Sequence, residues 1–397
     1  MSPTPTPLPL SLYVHLPWCV KKCPYCDFNS HAVRGGLPEK AYLAALMADL
    51  DEELGRAGGR QIESVFFGGG TPSLFSAESI DRLIVAVRRR GSLAPDAEIT
   101  LEANPGAVER GRFADYAAAG VNRVSVGVQS FEADKLAALG RIHSPRETET
   151  TLEELRRADI TNVNLDLMYG LPGQDIAAAL ADVERAIQAQ PSHISHYQLT
   201  IEPNTLFHAR PPVLPDDDLI ADAEIACAER LAAAGFERYE VSAYARDRRV
   251  CRHNVNYWRF GDYLGIGAGA HGKLSQDEPL SVSRRWKNRH PQSYMAAPVP
   301  PVDGETLMDA AQLRFEFMLN GLRLTAGIHE RDYQARTGSE IDGLRRELEI
   351  LEEEGMMLSD GGGGWRASAR GFRFLNDLQA RFLPSRPDAG VSGPGNG

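Results

Sequence analysis

Residues 12–26 read LYVHLPWCVKKCPYC. The apolar run 12–17 ends at a proline, which predicts a β-strand that stops there. Directly after it come Cys19, Cys23 and Cys26, spaced C-x3-C-x2-C on one loop. Three thiolates can hold three irons of a cubane, whereas full protein ligation takes four. The missing fourth ligand leaves one iron with open coordination positions, where a small molecule can bind. A [4Fe–4S] cluster on these three cysteines is therefore expected. The alternative is a zinc site with His15 or His31 as fourth ligand. The loop lacks the paired CxxC…CxxC spacing that would favour it.

Outward from this loop, short apolar runs alternate with helical patterns. The runs 12–17, 64–68, 98–103, 123–128, 162–169 and 193–201 each end in Gly, Pro or a polar turn. Between them lie helical stretches such as AYLAALMADLDEEL and IAAALADVERAIQ. Strand–helix alternation of this kind predicts a parallel sheet with helices outside. Six units fall short of the eight of a closed barrel. The expected fold is α/β, a partial (β/α)6 TIM-like barrel over 11–296, with its chemistry at the C-terminal strand ends. Residues 1–10 read as a flexible leader, 297–306 as a linker and 384–397 as a disordered tail. Residues 307–383 change texture: helix, helix, then a hairpin across DGGGG, predicting a small winged-helix-like α+β domain.

Composition narrows the partners. The 397 residues carry a net charge of −11, a poor match to nucleic acid or an anionic membrane. The C-terminal segment 309–383 has ten Arg, no Lys and thirteen acidic residues, so its winged-helix shape does not come with the basic face of a nucleic-acid binder. No run approaches the roughly 20 apolar residues of a membrane span. The N-terminus lacks the basic, then apolar, pattern of a signal peptide. Five cysteines, three of them clustered, fit a metal site in a reducing cytoplasm better than a disulfide framework. Cys227 lies in a helical run and reads as a core residue; Cys251 is expected to be structural.

Several polar residues stand at strand ends. Gly68-Gly69-Gly70-Thr71-Pro72 closes the second strand, and glycines there let the backbone approach a ligand. Glu102, Gln129 and Asp166 stand at the ends of the third, fourth and fifth strands. Arg141 is suited to a ligand carboxylate. The C-x3-C-x2-C loop and the glycine-rich second strand end together resemble the radical S-adenosylmethionine superfamily. That resemblance implies that the open iron chelates the amino and carboxylate groups of S-adenosylmethionine, which the reduced cluster cleaves to a 5′-deoxyadenosyl radical.

From Tyr13 to Asp166 the chain resembles the oxygen-independent coproporphyrinogen III oxidase branch of that superfamily. The resemblance implies S-adenosylmethionine contacts at Tyr13, Gly69, Gly70, Thr71, Glu102, Gln129, Arg141 and Asp166, with Tyr25 against the adenine and Thr200 as a weaker match. Two departures follow. The oxidase has a further cysteine two residues after the third, where Phe28 stands here. It also has a longer segment ahead of the cluster, whereas twelve residues precede Tyr13 here. In exchange the chain has RHNVNYW at 252–258. This HNxxYW stretch resembles the oxidase-like haem chaperones, which bind haem and hand it to acceptor proteins.

An imidazole can ligate haem iron, and Tyr257 and Trp258 offer flat apolar faces. His253, Asn254, Tyr257 and Trp258 are thus the haem-binding candidates, with His271 a further one. The residues alone favour a plainer reading, in which His253 and Asn254 cap a turn while Tyr257 and Trp258 pack the wall; the resemblance favours haem. The resemblance implies a cytoplasmic haem chaperone, or one held at the membrane through its acceptor. Its partners would be haem, an acceptor haemoprotein such as a respiratory enzyme, and a reductant for the cluster. Cluster and S-adenosylmethionine would serve binding, homodimerisation or a radical step. The rival functions are coproporphyrinogen III oxidation and another radical reaction, a methylation or cyclisation.

Overall fold

The computed structural model describes residues 8–90, 92–106, 111–277, 280–296 and 302–384. The chain divides into two compact units, the larger made of residues up to 257 with 261–274 and 283–306. The six expected strands are present: β1 (Leu10–Leu16), β2 (Ile62–Gly69), β3 (Leu93–Ala103), β4 (Arg123–Gln129), β5 (Val163–Tyr169) and β6 (His193–Gln198). They pair in parallel and in sequence order. Each such connection contains at least one helix, and the strands, largely buried on both faces, read as nearly unbroken apolar runs. β1 is the type case: all of LSLYVHL but Tyr13 is buried.

The sheet extends beyond these six. An antiparallel pair, β7 (Glu237–Glu240) and β8 (Ala243–Ala245), adds to β6. On the other side β9 (Asp262–Ile266) lies parallel to β1, with Leu10 opposite Asp262 and Val14 opposite Ile266. β10 (His271–Asp277), β11 (Leu280–Lys287) and β12 (Val302–Leu307) follow. The order is β12-β11-β10-β9-β1-β2-β3-β4-β5-β6-β8-β7, an open sheet with a seventh parallel strand. Residues 302–306, expected as linker, belong to strand β12, because their backbone groups complete the sheet edge; 297–301 lie outside the described residues. Leu10, expected in the leader, already begins β1.

Local chemistry sets the helix starts. Ser76, Asp175 and Asp216 accept from the third residue of their helices, the side-chain oxygen satisfying an orphan amide. Ser144 and Glu147 close a full capping box at Pro145–Arg157.

The second unit holds the C-terminal domain. Helix Ala310–Gly321 is followed by β13 (Ile328–His329), helices Glu330–Thr337 and Asp342–Glu353, and the hairpin of β14 (Met357–Ser359) with β15 (Gly364–Ala367). β15 also pairs with β13. That is the winged-helix order with three helices beyond the two expected: Glu330–Thr337, and after the hairpin Ala369–Arg373 and Leu375–Ala380. The polar composition of the first (ERDYQART) hides it; Tyr333 is the side chain it buries. Leu313, Phe317, Leu344, Leu348, Met357 and Trp365 form this unit's core. The expected tail lies outside the described residues from 385 on.

Candidate functional site

The cysteine loop leaves β1 at Leu16 and is pinned on both sides. Residues Trp18–Cys19 pair with His31–Ala32, and Gly70 N and Thr71 N donate to Leu16 O and Trp18 O at 2.9 and 2.7 Å. This close approach requires glycine. A Cβ on Gly70 would stand 2.5 Å from the Trp18 carbonyl oxygen, and Gly69 has φ +116° with the His15 ring where its Cβ would point. Gly70→Ala is therefore expected to push the cysteine loop off the β2 end and to lower the iron content on reconstitution, measured as iron and acid-labile sulfide per chain.

All three cysteines are free thiols and line one cavity of about 270 Å³. Gly69, Gly70, Thr71, Glu102, Gln129, Arg141, Asp166 and Tyr25 line the same cavity. Strand ends β1 to β5 thus deliver their polar residues to one mouth. The fourth ligand of the zinc alternative would be His15 or His31, and His31 Nε2 meets Asn29 Oδ1 at 3.2 Å. His15 is also committed elsewhere: its ring nitrogens meet Tyr13 OH at 3.0 Å and Asn29 O at 2.9 Å.

The cavity is built with care for charge. Glu102 accepts from Gly69 N at 3.2 Å. Burial, and then the neighbouring Asp166, push its carboxyl up to about 8. Asp166 is also raised by burial, against hydrogen bonds from Asn164 Nδ2 (2.8 Å) and Ser125 Oγ (3.1 Å). Arg141 reaches in from the other side. Its guanidinium donates to Gly127 O at 2.7 Å, contacts Asn104 Oδ1 and lies 3.8 Å from Cys23 Sγ. Gln129 has φ +67°, a left-handed conformation costly for a non-glycine residue and characteristic of functional sites. The register between β4 and β5 shifts at that point, and Tyr197 OH donates to Gln129 Oε1 at 2.7 Å. One wall therefore carries two acids and another a guanidinium. A zwitterion with an ammonium and a carboxylate matches that division.

Two expected residues stand apart. Thr200 is exposed, donates to Glu202 Oε1 at 2.7 Å and is not among the cavity's lining residues: the strand stops at Gln198, so Thr200 follows the turn outward. Tyr13 is not a lining residue either; its hydroxyl is on His15 and its ring stacks on Phe66 at 6.3 Å. Conversely Asn104, Ser125 and Tyr197 line the cavity without having been singled out. Asn104 had a signal, the polar NP step closing the third strand.

The HNVNYW stretch forms a helix, Arg252–Trp258. His253 is fully buried in it, with Nδ1 at 3.1 Å from Ser64 Oγ and Nε2 at 3.0 Å from Tyr257 OH. Its ring stacks on Phe66 at 5.0 Å. Burial, with Arg123 adding to it, lowers its pKa to about 3. Both ring nitrogens are thus used inside the protein, and His253 does not present itself as an open haem ligand. Asn254 is half-buried next to it. Tyr257 packs edge-on between His253 and Tyr263. Trp258 belongs to the second unit, with the Arg323 guanidinium 4.3 Å from its ring. His253 is thus taken up by packing, while Asn254 and Trp258 are half-buried. Cys227 and Cys251 are buried, Cys251 beside Glu98.

An open parallel sheet whose first strand runs into three clustered cysteines, faced by acids from later strands, defines a radical S-adenosylmethionine protein. The Radical SAM superfamily model matches residues 13–186 and the HemN C-terminal domain model residues 308–374. The Heme chaperone HemW of Escherichia coli is 48 % identical over 94 % of this chain and 98 % of its own length. The mitochondrial Radical S-adenosyl methionine domain-containing protein 1 of Bos taurus is 36 % identical over 98 % and 90 %. The coproporphyrinogen III oxidase HemN of Escherichia coli has a structure that matches with a TM-score of 0.78 at 22 % identity, over 95 % of this chain and 90 % of that one, a likeness of fold. The chain belongs to the HemW family of the radical S-adenosylmethionine superfamily, and membership of that superfamily implies a [4Fe–4S] cluster and S-adenosylmethionine. Among the described residues no helix is long and apolar enough to cross a membrane.

Proposed function

We propose that this chain is a haem chaperone, which binds haem and passes it to an acceptor haemoprotein. The observation that carries the reading is the near-full-length likeness to a protein named Heme chaperone HemW, at 48 % identity, set against 22 % for the HemN oxidase. Phe28 supports it: 63 % exposed, it stands where the oxidase motif has a further cysteine. The test is anaerobic reconstitution followed by two assays on one preparation. Haem titration is expected to give a saturable Soret band, and coproporphyrinogen III is expected to remain unconverted. Protoporphyrinogen formation without haem uptake would make the chain an oxidase instead.

Cys19, Cys23 and Cys26 would hold the cluster, which when bound supplies an open iron and an electron. Burial raises the Cys19 thiol, so assembly must release its proton. Around the open position, Glu102 and Asp166 would take the amino group of S-adenosylmethionine, Arg141 its carboxylate and Tyr25 its adenine. Gly69, Gly70, Thr71 and Gln129 would complete the wall.

The acid wall gives a measurable consequence. Without ligand, Glu102 is mostly protonated at neutral pH, its carboxyl being raised to about 8. Its contribution to stability is full below the ordinary glutamate range and falls as the pH rises through about 8. A bound ammonium favours the carboxylate, so S-adenosylmethionine should expel up to about one proton on binding near pH 7. Calorimetry in two buffers of different ionisation heat reads this directly. Glu102→Gln should remove the release; an unchanged release in that variant would place the proton elsewhere.

A further inference from the structure

On the haem-chaperone reading, an iron porphyrin needs an open imidazole, and His253 does not offer one. We infer that haem docks beside the cysteine loop, on the face formed by His271, Trp286, Arg284 and Arg289, with His271 as its axial ligand. This claim rests on that reading and says where its cargo sits.

The face is built by a tight turn. After β9 the chain runs through Gly267, Ala268, Gly269 and Ala270 and reverses into β10 at His271. Gly267 (φ +104°) and Gly269 (φ +79°) have no room for a side chain: a Cβ would meet His15 O at 2.4 Å and Asn29 Nδ2 at 2.5 Å. Asn29, three residues past Cys26, donates from Nδ2 to Ala268 O and to Arg289 O, both at 2.8 Å. One side chain thereby ties the cysteine loop to the turn before His271 and to the segment after β11. The three pieces form one rigid platform.

The platform carries an axial nitrogen and guanidinium groups for the propionates of an anionic iron porphyrin, with the Trp286 indole packed on the face of the imidazole. His271 is exposed, and its ring stacks on the Trp286 indole at 6.3 Å and 24°. Arg289 is exposed, and Arg284 donates to the Tyr263 hydroxyl with its guanidinium 5.7 Å from that ring. The fields of both arginines act on His271, and that of Arg289 also on His31. His31 and His290 stand edge to face at 5.8 Å. This gathering of cations and imidazoles lies on a chain of net charge −11. Burial and the adjacent cations hold His271 below the ordinary histidine range, which keeps its lone pair available to iron at neutral pH. Among the other interior histidines, His15 is committed as above, His143 to Val128 O and His193 to Asn164 and Tyr239, while His196 is buried against the Tyr169 ring at 4.6 Å.

The test is a haemin titration of the anaerobically reconstituted full chain, with cluster absorbance subtracted and the ferric haem followed by EPR. Wild type is expected to bind haemin with the spectrum of an imidazole-ligated iron. His271→Ala should weaken binding at least about tenfold and lose that spectrum, and added free imidazole should restore it. His253→Ala should keep the spectrum if it keeps its cluster. Arg289→Glu, at an exposed side chain, should weaken haemin while leaving the EPR type unchanged, and it gives an independent reading should His271→Ala fail to fold. Wild-type affinity and spectrum in His271→Ala, or in Arg289→Glu where that reading is needed, would overturn the inference while leaving the chaperone reading intact. Absence of haemin binding by wild type would instead sink the chaperone reading itself.

Discussion

Cys23→Ala is expected to leave the chain without its cluster and, as a result, without S-adenosylmethionine affinity. Three thiolates are the minimum for a cubane with one open iron, so two cannot hold it. Among the described residues no further cysteine lines the cavity. His15 is bound at both ring nitrogens, and the other two cysteines, Cys227 and Cys251, are buried away in the core. The loop itself should survive, because backbone bonds hold it: Val33 N to Cys19 O, His31 N to Pro17 O and Thr71 N to Trp18 O. Iron and sulfide after reconstitution should fall to near zero while far-UV circular dichroism stays that of wild type. A variant that retains a full complement of iron and sulfide would mean that the cluster is held by other residues.

The second large effect is on stability. Lys287→Ala is expected to destabilise the fold by about 3–5 kcal/mol, the usual cost of stripping one partner from a buried ion pair. Lys287 is almost wholly buried, and its ammonium lies 2.6 Å from both Asp49 Oδ1 and Glu53 Oε1. These acids are on helix Glu39–Arg56, so the pair fastens β11 to that helix. Arg285 still reaches Glu53 at 2.9 Å in the variant, and Tyr294 OH still donates to Asp49 at 2.7 Å. Asp49 is left as the buried carboxylate with no cation. Burial already raises its pKa in the wild type. A raised carboxyl contributes fully below its unfolded value, and its contribution falls as pH rises. The deficit in Lys287→Ala should therefore be smaller near pH 5 than near pH 8. Urea unfolding at both pH values decides it; an equal deficit at the two would show that Asp49 is not the stranded group.

Much of this architecture was written locally. Each of the first six strands is an apolar run stopped by Gly, Pro or a polar turn, and the third, fourth and fifth deliver Glu102, Gln129 and Asp166 to the cavity. Glu102 and Asp166 stood out because charge inside an apolar strand demands a partner. What escaped was carried by distance in sequence. β9 pairs with β1 some 250 residues away, and GDYLGIG reads equally well as a motif loop. Tyr197 looks like any strand aromatic until β6 is laid beside Gln129. HNVNYW shows the same dependence on distant partners. Its histidine and aromatics have the chemistry of a haem pocket, but Ser64 on β2 and Tyr257 one helical turn on already satisfy the imidazole. Which side of a helix faces the core depends on the strands packed against it. His271 is a candidate in the sequence, but only the fold brings its glycine turn beside Trp286 and the cysteine loop.

The central claim is that this chain carries haem in order to give it away. The direct measurement is to load the reconstituted chain with haem, remove the excess, and mix it with an apo-haemoprotein whose own haem spectrum is distinct. The account predicts that the acceptor's spectrum grows as the chain's Soret band decays, with one haem gained for each lost. Haem that stays on the chain in the presence of a competent acceptor, or a chain that never takes it up, would contradict it.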